Sequence, residues 1–307
     1  MVTEKYGNLS VKAKLEQARL SERLLMVIVY TTMVFFIFVT LYPFLHIASV
    51  SLSSAKEAIK PGMHFFPSEL TFTSYRKVLS MPLLGTSYRN TMIVVIFGTT
   101  FNMLVTILAA YPLSRKYLVF RKSLILYIVF TMLFSGGLIP SYLLMRSLGL
   151  VNNRLVLILT GLVSPYNMII MKNFFQSIPE SLEESAKMDG ASDYRVLKSI
   201  ILPLSTPVLA TIGLFYAVGH WNAFFTCLIY ISDTSKIVLQ VLLRQLVITS
   251  ELQINNQINN IDIIMANSLP IQDKSTVIIV ATVPILAIYP FLQKYFVKGV
   301  MIGAIKG

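Results

Sequence analysis

The chain has 307 residues, of which 55% are hydrophobic and only 13% are charged, and its mean hydropathy is +0.70. Soluble domains carry about 25% charged residues because their surface faces water, so this composition excludes an ordinary soluble protein. The formal net charge is +12. The basic residues lie at the ends of apolar segments and form no basic stripe, which disfavours a nucleic-acid-binding protein.

The first apolar segment, residues 24–48, follows a charged N-terminal tail over residues 1–23. A signal peptide has an apolar core of about 7–15 residues, so this longer segment is predicted to be a retained membrane span. We expect the tail to be helical and to lie at the inner surface of the membrane. The single cysteine, Cys227, excludes an internal disulfide, and the three histidines form no metal-binding motif.

Six apolar segments are long enough to cross a membrane, because a hydrocarbon core of about 30 Å requires about 20 residues of helix. They are residues 24–48, 90–112, 123–145, 155–178, 205–231 and 275–293. The sequence therefore predicts an all-α membrane protein with six transmembrane helices, in which residues 24–307 form the transmembrane domain. Gly136 and Gly137 permit either close helix packing or a break in the third span.

The basic residues predict the orientation, since cytoplasmic segments of membrane proteins are enriched in lysine and arginine. With a cytoplasmic N-terminus, 16 of the 26 basic residues lie on inner segments and 10 on the longer outer ones. We therefore expect both termini and the loop at 179–203 to be cytoplasmic. The long loops at 49–89 and 232–274 are expected outside.

The second outer loop contains apolar residues at helical spacing, followed by the asparagine-rich stretch 253–260. The apolar residues are Leu239, Leu242, Leu243, Leu246 and Val247. Two interpretations remain open for this segment. It is either an amphipathic helix that lies on the outer face or docks a partner, or a helix that covers the ends of the bundle.

The inner loop at 179–203 has the pattern of two short helices joined at a glycine. Ser181 and Glu184 have the spacing of a capping box, which predicts a helix over 182–188. Gly190 is expected to end that helix, because glycine readily adopts positive φ. A second helix should then extend to Pro203, where the fifth span begins.

This loop resembles the Glu-Ala-Ala loop of ABC importer permeases. The matching residues, at the family's spacing, are Glu184, Ser185, Ala186, Gly190, Ile200, Leu202 and Pro203. Ser185 stands where the family usually has alanine, which is a small-for-small change. Residues 178–179, 188–191, 221–222 and 298–307 resemble the carbohydrate-uptake branch, and residues 134–140 and 148–150 resemble permeases for complex oligosaccharides. An ordinary solvated loop would not explain the full spacing.

The resemblance implies a permease subunit that translocates a carbohydrate, most simply an oligosaccharide, across the cytoplasmic membrane of a bacterium. The implied partners are a second homologous permease, two copies of an ABC ATPase and an extracytoplasmic solute-binding protein. The first loop helix would sit in a groove of the ATPase, where Glu183 or Glu184 would pair with an arginine. The implied coupling residues are Glu183, Glu184, Ser185, Ala186, Asp189, Gly190, Ile200, Leu202 and Pro203.

The chain contains no G-x-x-x-x-G-K-[ST] phosphate-binding loop. We therefore expect this chain to be a transport subunit rather than an enzyme, and to hold no cofactor or metal. ATP and Mg²⁺ are expected on the partner ATPase, whose closure would switch the pathway from inward-facing to outward-facing.

Ionisable side chains are nearly absent from the spans, which disfavours proton coupling and favours a neutral, hydroxyl-rich solute. The candidate solute-path residues are Asn102, Asn167, Tyr216, His220, Trp221 and Asn222, with Tyr111, Ser135 and Tyr142 as further polar side chains. The alternative for each is a hydrogen bond to a neighbouring helix. For Trp221 it is an anchor at the membrane interface.

Two other classes of membrane protein have different sequence patterns. A secondary transporter predicts ionisable residues within spans and often an inverted repeat. A membrane-embedded enzyme predicts a paired constellation such as Ser/His or Asp/Asp within the bilayer. Neither pattern is present in the sequence.

Overall fold

The computed structural model describes the backbone of residues 2–58, 62, 65–67, 69–246 and 271–304. It describes the side chains of residues 22–54, 57–58, 62, 65–67, 69–246 and 271–288. Within those ranges the regular structure is helical, as expected of an all-α protein. The asparagine-rich stretch 253–260 and the side chains of the C-terminal motif 298–307 lie outside the described residues. The chain forms two compact units, Met1–Tyr75 with Pro270–Ile279 and Arg76–Leu269 with Val280–Gly307.

The first unit is dominated by α1, Val2–Leu52, in which the N-terminal tail and the first predicted span form one helix. Its apolar side chains from Leu24 to Leu45 are largely exposed, as expected of a surface that faces lipid. The end of α1 is held by polar contacts. The Ser51 hydroxyl lies 2.9 Å from the Tyr75 hydroxyl, and the Thr276 hydroxyl donates to the Ser51 carbonyl. Short helices follow, α2 at Ala55–Ala58 and α3 at Thr73–Leu79.

The second unit is built around α4, Pro82–Ser114, which contains the second predicted span. One face of α4 carries mostly small or polar residues at intervals of three or four, and these are buried. They are Ser87, Thr91, Val94, Gly98, Asn102, Thr106 and Ala110. Small side chains allow helices to approach closely in membranes. This face packs against two helices, α8 (Pro165–Ser177) and α12 (Thr206–Trp221).

The third, fourth and fifth predicted spans are broken rather than continuous. The third span consists of α5 (Arg121–Leu133) and α6 (Leu138–Ser147), and the chain bends by 109° between these two helices. Gly137 at this bend has a φ of 87°, so the glycine pair makes a break. The fourth span divides into α7, Val156–Leu159, and α8, because Ser164 and Pro165 start a new helix.

The fifth predicted span breaks after α12, and α13 (Phe225–Tyr230) completes it.

The inner loop contains two short helices, α9 (Glu180–Met188) and α10 (Asp193–Val196). A π-helical turn (Leu197–Ile201) and α11 (Leu202–Leu204) follow them. A 3₁₀ turn follows α13 at Thr234–Lys236. The last span lies within α14, Ile271–Ala304.

Three helices in the described part of the chain are long and apolar enough to cross a membrane, namely Glu22–Leu52, Pro82–Ser114 and Ile271–Ile288. The number rises to five if two bent pairs are each counted as one span. These pairs are α5 with α6, and Asp193–Leu204 with α12, which meet at 84°. A multi-pass helical membrane protein is therefore supported, and the count of six spans stays a prediction.

Residues 239–246 are helical and pack against α4. Leu239 and Leu242 are buried, and the backbone N–H of Leu239 donates to the Thr91 hydroxyl at 2.8 Å. The Asn90 amide donates to the carbonyls of the preceding residues Ser235 and Ile237 at 2.9 and 3.0 Å. Leu243 and Leu246 are half-buried, and Val247 lies outside the described residues. These contacts favour a segment that covers the bundle, because Leu239 and Leu242 are already packed against protein.

Candidate solute cavity and coupling loop

A cavity of about 490 Å³ lies between α4, the α7–α8 break, α12 and α13. It is lined by Asn102, Leu157, Thr160, Gly161, Ser164, Asn167, Phe215, Tyr216, Gly219, His220, Asn222, Ala223, Phe224, Phe225 and Thr226. Five of the six candidate solute-path residues are therefore brought together. The sixth, Trp221, lies outside this lining, as do Tyr111, Ser135 and Tyr142.

Asn102 and His220 form the polar contact between α4 and α12 at this cavity. The Asn102 side-chain amide donates to the Gly161 carbonyl at 2.6 Å, and its Oδ1 lies 3.1 Å from Nε2 of His220. Because a carbonyl only accepts, the amide nitrogen must face Gly161 and Oδ1 must face the imidazole. Nε2 of His220 therefore carries the proton and donates. Both side chains serve helix contact and cavity lining at once.

Tyr216 connects three elements at the wall of the cavity. Its hydroxyl lies 2.8 Å from the Thr106 hydroxyl on α4 and accepts from the backbone N–H of Ser164 at 3.1 Å. The Ser164 hydroxyl in turn accepts from the N–H of Asn167 at 3.4 Å and caps α8. The break in the fourth span is thus fixed to both neighbouring helices.

Aromatic rings and amides supply most of the remaining lining. Phe215 and Phe225 are 39% and 59% exposed. The guanidinium of Arg244 lies 4.4 Å from the ring centre of Phe224. No aspartate, glutamate, lysine or arginine is among the lining residues that the structure describes. Such a surface suits a ligand with many hydroxyl groups and flat apolar faces.

Trp221 packs behind the cavity and is buried. Its ring meets Tyr88 edge-on with the centroids 5.9 Å apart, and the Tyr88 hydroxyl donates to the Val280 carbonyl at 2.8 Å. Because the indole is buried against Tyr88 and Trp221 is not part of the cavity lining, its position fits neither an interfacial anchor nor a residue that touches solute.

The first helix of the predicted coupling loop begins two residues earlier than the capping box predicted. α9 follows directly on Pro179, which stands at its N-cap without a side-chain hydrogen bond, and Ser181 lies inside the first turn. The capping-box assignment was therefore wrong. Proline favours an extended residue before it and a helical φ of its own, so Ile178 and Pro179 set the helix start.

Gly190 adopts the positive φ that the sequence predicts, at 79°. The N–H of Gly190 donates to the Lys187 carbonyl at 3.0 Å, and that of Ala191 donates to the Ala186 carbonyl at 2.9 Å. This pair of bonds is a Schellman motif, which ends α9. The Ser192 hydroxyl then caps α10.

The predicted coupling residues divide into two groups by exposure. Glu184, Ser185, Asp189, Gly190 and Pro203 are exposed, beside Met188, which is 89% exposed. Ala186, Ile200 and Leu202 are half-buried and pack against the core around Met171, Phe175 and Ile201. The loop therefore has an outward-facing surface and an inward-facing one.

Glu183 belongs to the inward-facing group. The expectation that it could pair with an arginine of the ATPase is therefore corrected. The Tyr111 hydroxyl donates to its Oε1 at 2.8 Å, and Nη1 of Arg115 lies 2.9 Å from its Oε2. Glu183 is 6% exposed and Arg115 is 4% exposed. Both carboxylate oxygens are thus occupied within this chain, which leaves Glu184 as the outward-facing acid.

Two further ion pairs in the loop lie at the surface. Nζ of Lys116 is 2.9 Å from Glu180, and the hydrogen bond between them lowers the pKa of that carboxyl. Nζ of Lys187 is 2.9 Å from Asp193, and its hydrogen bond to that carboxylate raises the pKa of the lysine. Exposed pairs of this kind contribute little stability.

Residues 103–302 match the family described as the binding-protein-dependent transport system inner membrane component. The chain belongs to this family. It is 44% identical over 271 residues to the protein LplC of Bacillus subtilis strain 168, covering 88% of this chain and 90% of LplC. It is also 40% identical over 290 residues to YtcP of the same organism, a polygalacturonan/rhamnogalacturonan transport system permease protein. That match covers 94% of this chain and 100% of YtcP.

The permease also resembles a chain in the crystal structure of a bacterial ABC transporter involved in the import of the acidic polysaccharide alginate. The TM-score is 0.82 at 33% identity, covering 90% of the permease and 98% of that chain. The expected resemblance to ABC importer permeases is therefore confirmed. The permease is a transport subunit and not an enzyme, and ATP hydrolysis belongs to a partner ATPase.

Several residues at these sites were not singled out in the sequence. Thr106, Ser164 and Phe225 contact or line the cavity, and Arg115 pairs with Glu183. Ser164 had a detectable signal, because Ser followed by Pro inside an apolar segment is a helix start. The pairing of Arg115 had none, since it joins residues far apart in sequence.

Proposed function

We propose that the permease conducts an oligosaccharide through the 490 Å³ cavity across a bacterial cytoplasmic membrane. The observation that carries the proposal is the convergence of Asn102, Asn167, Tyr216, His220 and Asn222 on one cavity. Asn222 is exposed, and the other four side chains border the cavity while they are buried in its wall. Amide, hydroxyl and imidazole groups are of the type that matches sugar hydroxyls. The exposed rings of Phe215 and Phe225 add apolar faces against which a sugar ring packs.

The relatives favour the same class of solute. YtcP is named for polygalacturonan and rhamnogalacturonan, and a 25% identical permease of Halalkalibacterium halodurans is named for arabinooligosaccharides. The similar crystal structure belongs to an alginate importer. Since the described lining carries no arginine or lysine, we expect it to bind sugar hydroxyls.

Coupling is proposed to run through the outward-facing surface of α9. Leu182 and Met188, which are 43% and 89% exposed, give that surface apolar contacts that suit an ATPase groove. Glu184 is exposed beside them and is available to an arginine of the ATPase. Ile200, Leu202 and Pro203 lead from the loop into α12.

The proposed assembly contains this permease, a second homologous permease, two copies of an ABC ATPase and an extracytoplasmic solute-binding protein. ATP and Mg²⁺ bind on the ATPase, and this chain holds no cofactor. Both termini and the 179–203 loop are cytoplasmic, and α9 moves with the ATPase as the pathway switches between its two openings.

The test is to purify the native complex through a tag on this chain and to identify the subunits that accompany it. ATPase activity is then measured with and without oligosaccharides presented by the binding protein. We expect an ABC ATPase and a second permease to co-purify, and a saccharide to stimulate hydrolysis. A chain that purifies without an ATPase, and whose deletion leaves oligosaccharide uptake unchanged, would refute the proposal.

A further inference from the structure

Tyr111, Arg115 and Glu183 form a closed cluster between the end of α4 and the coupling helix α9. The Glu183 carboxylate accepts from the Tyr111 hydroxyl at 2.8 Å and pairs with Arg115 at 2.9 Å. The Arg115 guanidinium also lies over the Tyr111 ring, 4.9 Å from its centre. Each member therefore contacts the other two.

The cluster is buried, unlike the other ion pairs of this loop. The Arg115 and Glu183 side chains are 5% and 8% exposed, whereas those of Lys116 and Glu180 are 70% and 54% exposed. Within the described residues, Nε and Nη2 of Arg115 are buried without a hydrogen-bond partner. Glu183 is therefore the principal counter-charge of a guanidinium that is almost entirely buried, and loss of that charge is costly.

The same helix, α4, reaches the solute cavity. Asn102 lines the cavity, and Thr106 contacts the Tyr216 hydroxyl at its wall. Tyr111 follows Asn102 by nine residues, which is about 14 Å along a helix at 1.5 Å per residue. One continuous helix thus joins the hydrogen bonds of the cavity to the carboxylate of α9.

We propose that the Tyr111–Arg115–Glu183 cluster is the joint through which movement of α9 reaches α4 and the cavity. The inference rests on the proposed function, because it assumes that the ATPase moves α9. Among the described residues of α9, Ala186 also packs against the core, and it does so by apolar contact without a directional bond. A buried ion pair with a second hydrogen bond fixes both distance and orientation, so it transmits displacement in either direction.

Glu183→Gln and Tyr111→Phe test the joint in the complete complex. Glu183→Gln keeps the shape of the side chain and removes its charge. Tyr111→Phe removes one hydroxyl and keeps the ring beneath Arg115. Lys116→Met, in the exposed pair with Glu180, is the matched control. For each variant we would measure ATPase retained per permease, basal ATPase activity, and solute taken up per ATP hydrolysed.

We expect Glu183→Gln to retain its ATPase and to lose about tenfold or more of the uptake per ATP. Tyr111→Phe should lose about threefold, since one hydrogen bond is removed from an intact ion pair. Lys116→Met should match the wild type. If Glu183→Gln fails to assemble, the uptake per ATP of Tyr111→Phe tests the inference instead: a reduced ratio supports it and a normal ratio overturns it.

A merely structural cluster would give fewer assembled complexes with a normal ratio of uptake to hydrolysis, and that result would overturn the inference. Normal coupling in both variants would overturn it as well. Failure of the proposed function is distinguishable, because it would appear in the wild type as a complex without an ATPase. That outcome would remove the basis of both proposals.

Discussion

The imidazole of His220 occupies the space beside Gly98, so that no side chain fits at position 98. A Cβ there would lie 2.5 Å from Nε2 and 2.8 Å from two ring carbons of His220. Gly98→Ala should therefore push the ring away from Asn102 and disturb the cavity. Overpacking of this kind costs about 1–3 kcal/mol. We expect lower thermal stability in detergent together with reduced uptake.

Gly85→Ala is the matched control for that substitution. Gly85 lies on the same helix, and a Cβ there would meet no atom within 4 Å. Alanine favours helix over glycine, so this variant should be as stable as the wild type or slightly more stable. Equal behaviour of the two variants would show that the contact between α4 and His220 does not matter.

His220→Ala tests whether the imidazole serves solute as well as helix packing. The variant loses the donor to Asn102 Oδ1 but keeps the second contact between these helices, Thr106 with Tyr216. We expect uptake to fall several-fold while the amount of assembled complex stays unchanged. Easier unfolding with normal uptake would instead assign His220 to packing alone.

Asn90→Ala should loosen the segment that covers the bundle. It removes the donor to the carbonyls of Ser235 and Ile237, of which the Ser235 carbonyl keeps a contact with Nη2 of Arg154 at 3.4 Å. Leaving the buried Ile237 carbonyl without this donor costs about 1–3 kcal/mol. Limited proteolysis should then cleave within 232–246 faster than in the wild type. Thr86→Ala, at an exposed site on the same helix, should leave the cleavage rate unchanged.

The orientation is tested by single cysteines in a Cys227→Ala background. Ser147 and Ser185 are both exposed, and each hydroxyl bonds only to its own helix. The basic-residue pattern places Ser147 outside and Ser185 in the cytoplasm. A membrane-impermeant thiol reagent should label Ser147→Cys in intact cells and Ser185→Cys only after permeabilisation. Labelling of both in intact cells would contradict the six-span topology.

The sequence was sufficient for features that depend on local periodicity or backbone geometry. Tyr216 and His220 are four residues apart, so helical spacing alone puts them on one face of α12, and Gly190 follows from the need for a positive φ. The bend at Gly137 and the break at Ser164 were harder to predict. Apolar composition indicates a span whether or not its helix is continuous, and broken helices are tolerated where protein satisfies the backbone.

The orientation of Glu183 was beyond sequence analysis for a different reason. Two adjacent acids, Glu183 and Glu184, lie on one short helix, and nothing local decides which of them turns inward. The choice depends on Tyr111 and Arg115, which are about 70 residues away in sequence and are brought there by packing. Contacts between distant residues of this kind carry no periodic signal.

Gly190→Val tests the central claim, that the 179–203 loop couples the permease to its ATPase. Gly190 has a φ of 79°, and a Cβ there would meet no atom within 4 Å, so the effect comes from backbone strain alone. A β-branched residue in this conformation costs roughly 1 kcal/mol or more, and α9 would lose its Schellman ending. Gly190→Asn is the comparison variant, because asparagine tolerates the left-handed region.

The decisive measurement is oligosaccharide uptake together with the amount of ATPase retained on the membrane. We expect Gly190→Val to abolish uptake, either with release of the ATPase or with hydrolysis that no longer drives transport. Glu184→Lys should do the same by charge reversal, whereas Gly190→Asn and Ser185→Ala should retain most of the uptake. If Gly190→Val transports at the wild-type rate with its ATPase bound, this loop is not the coupling element.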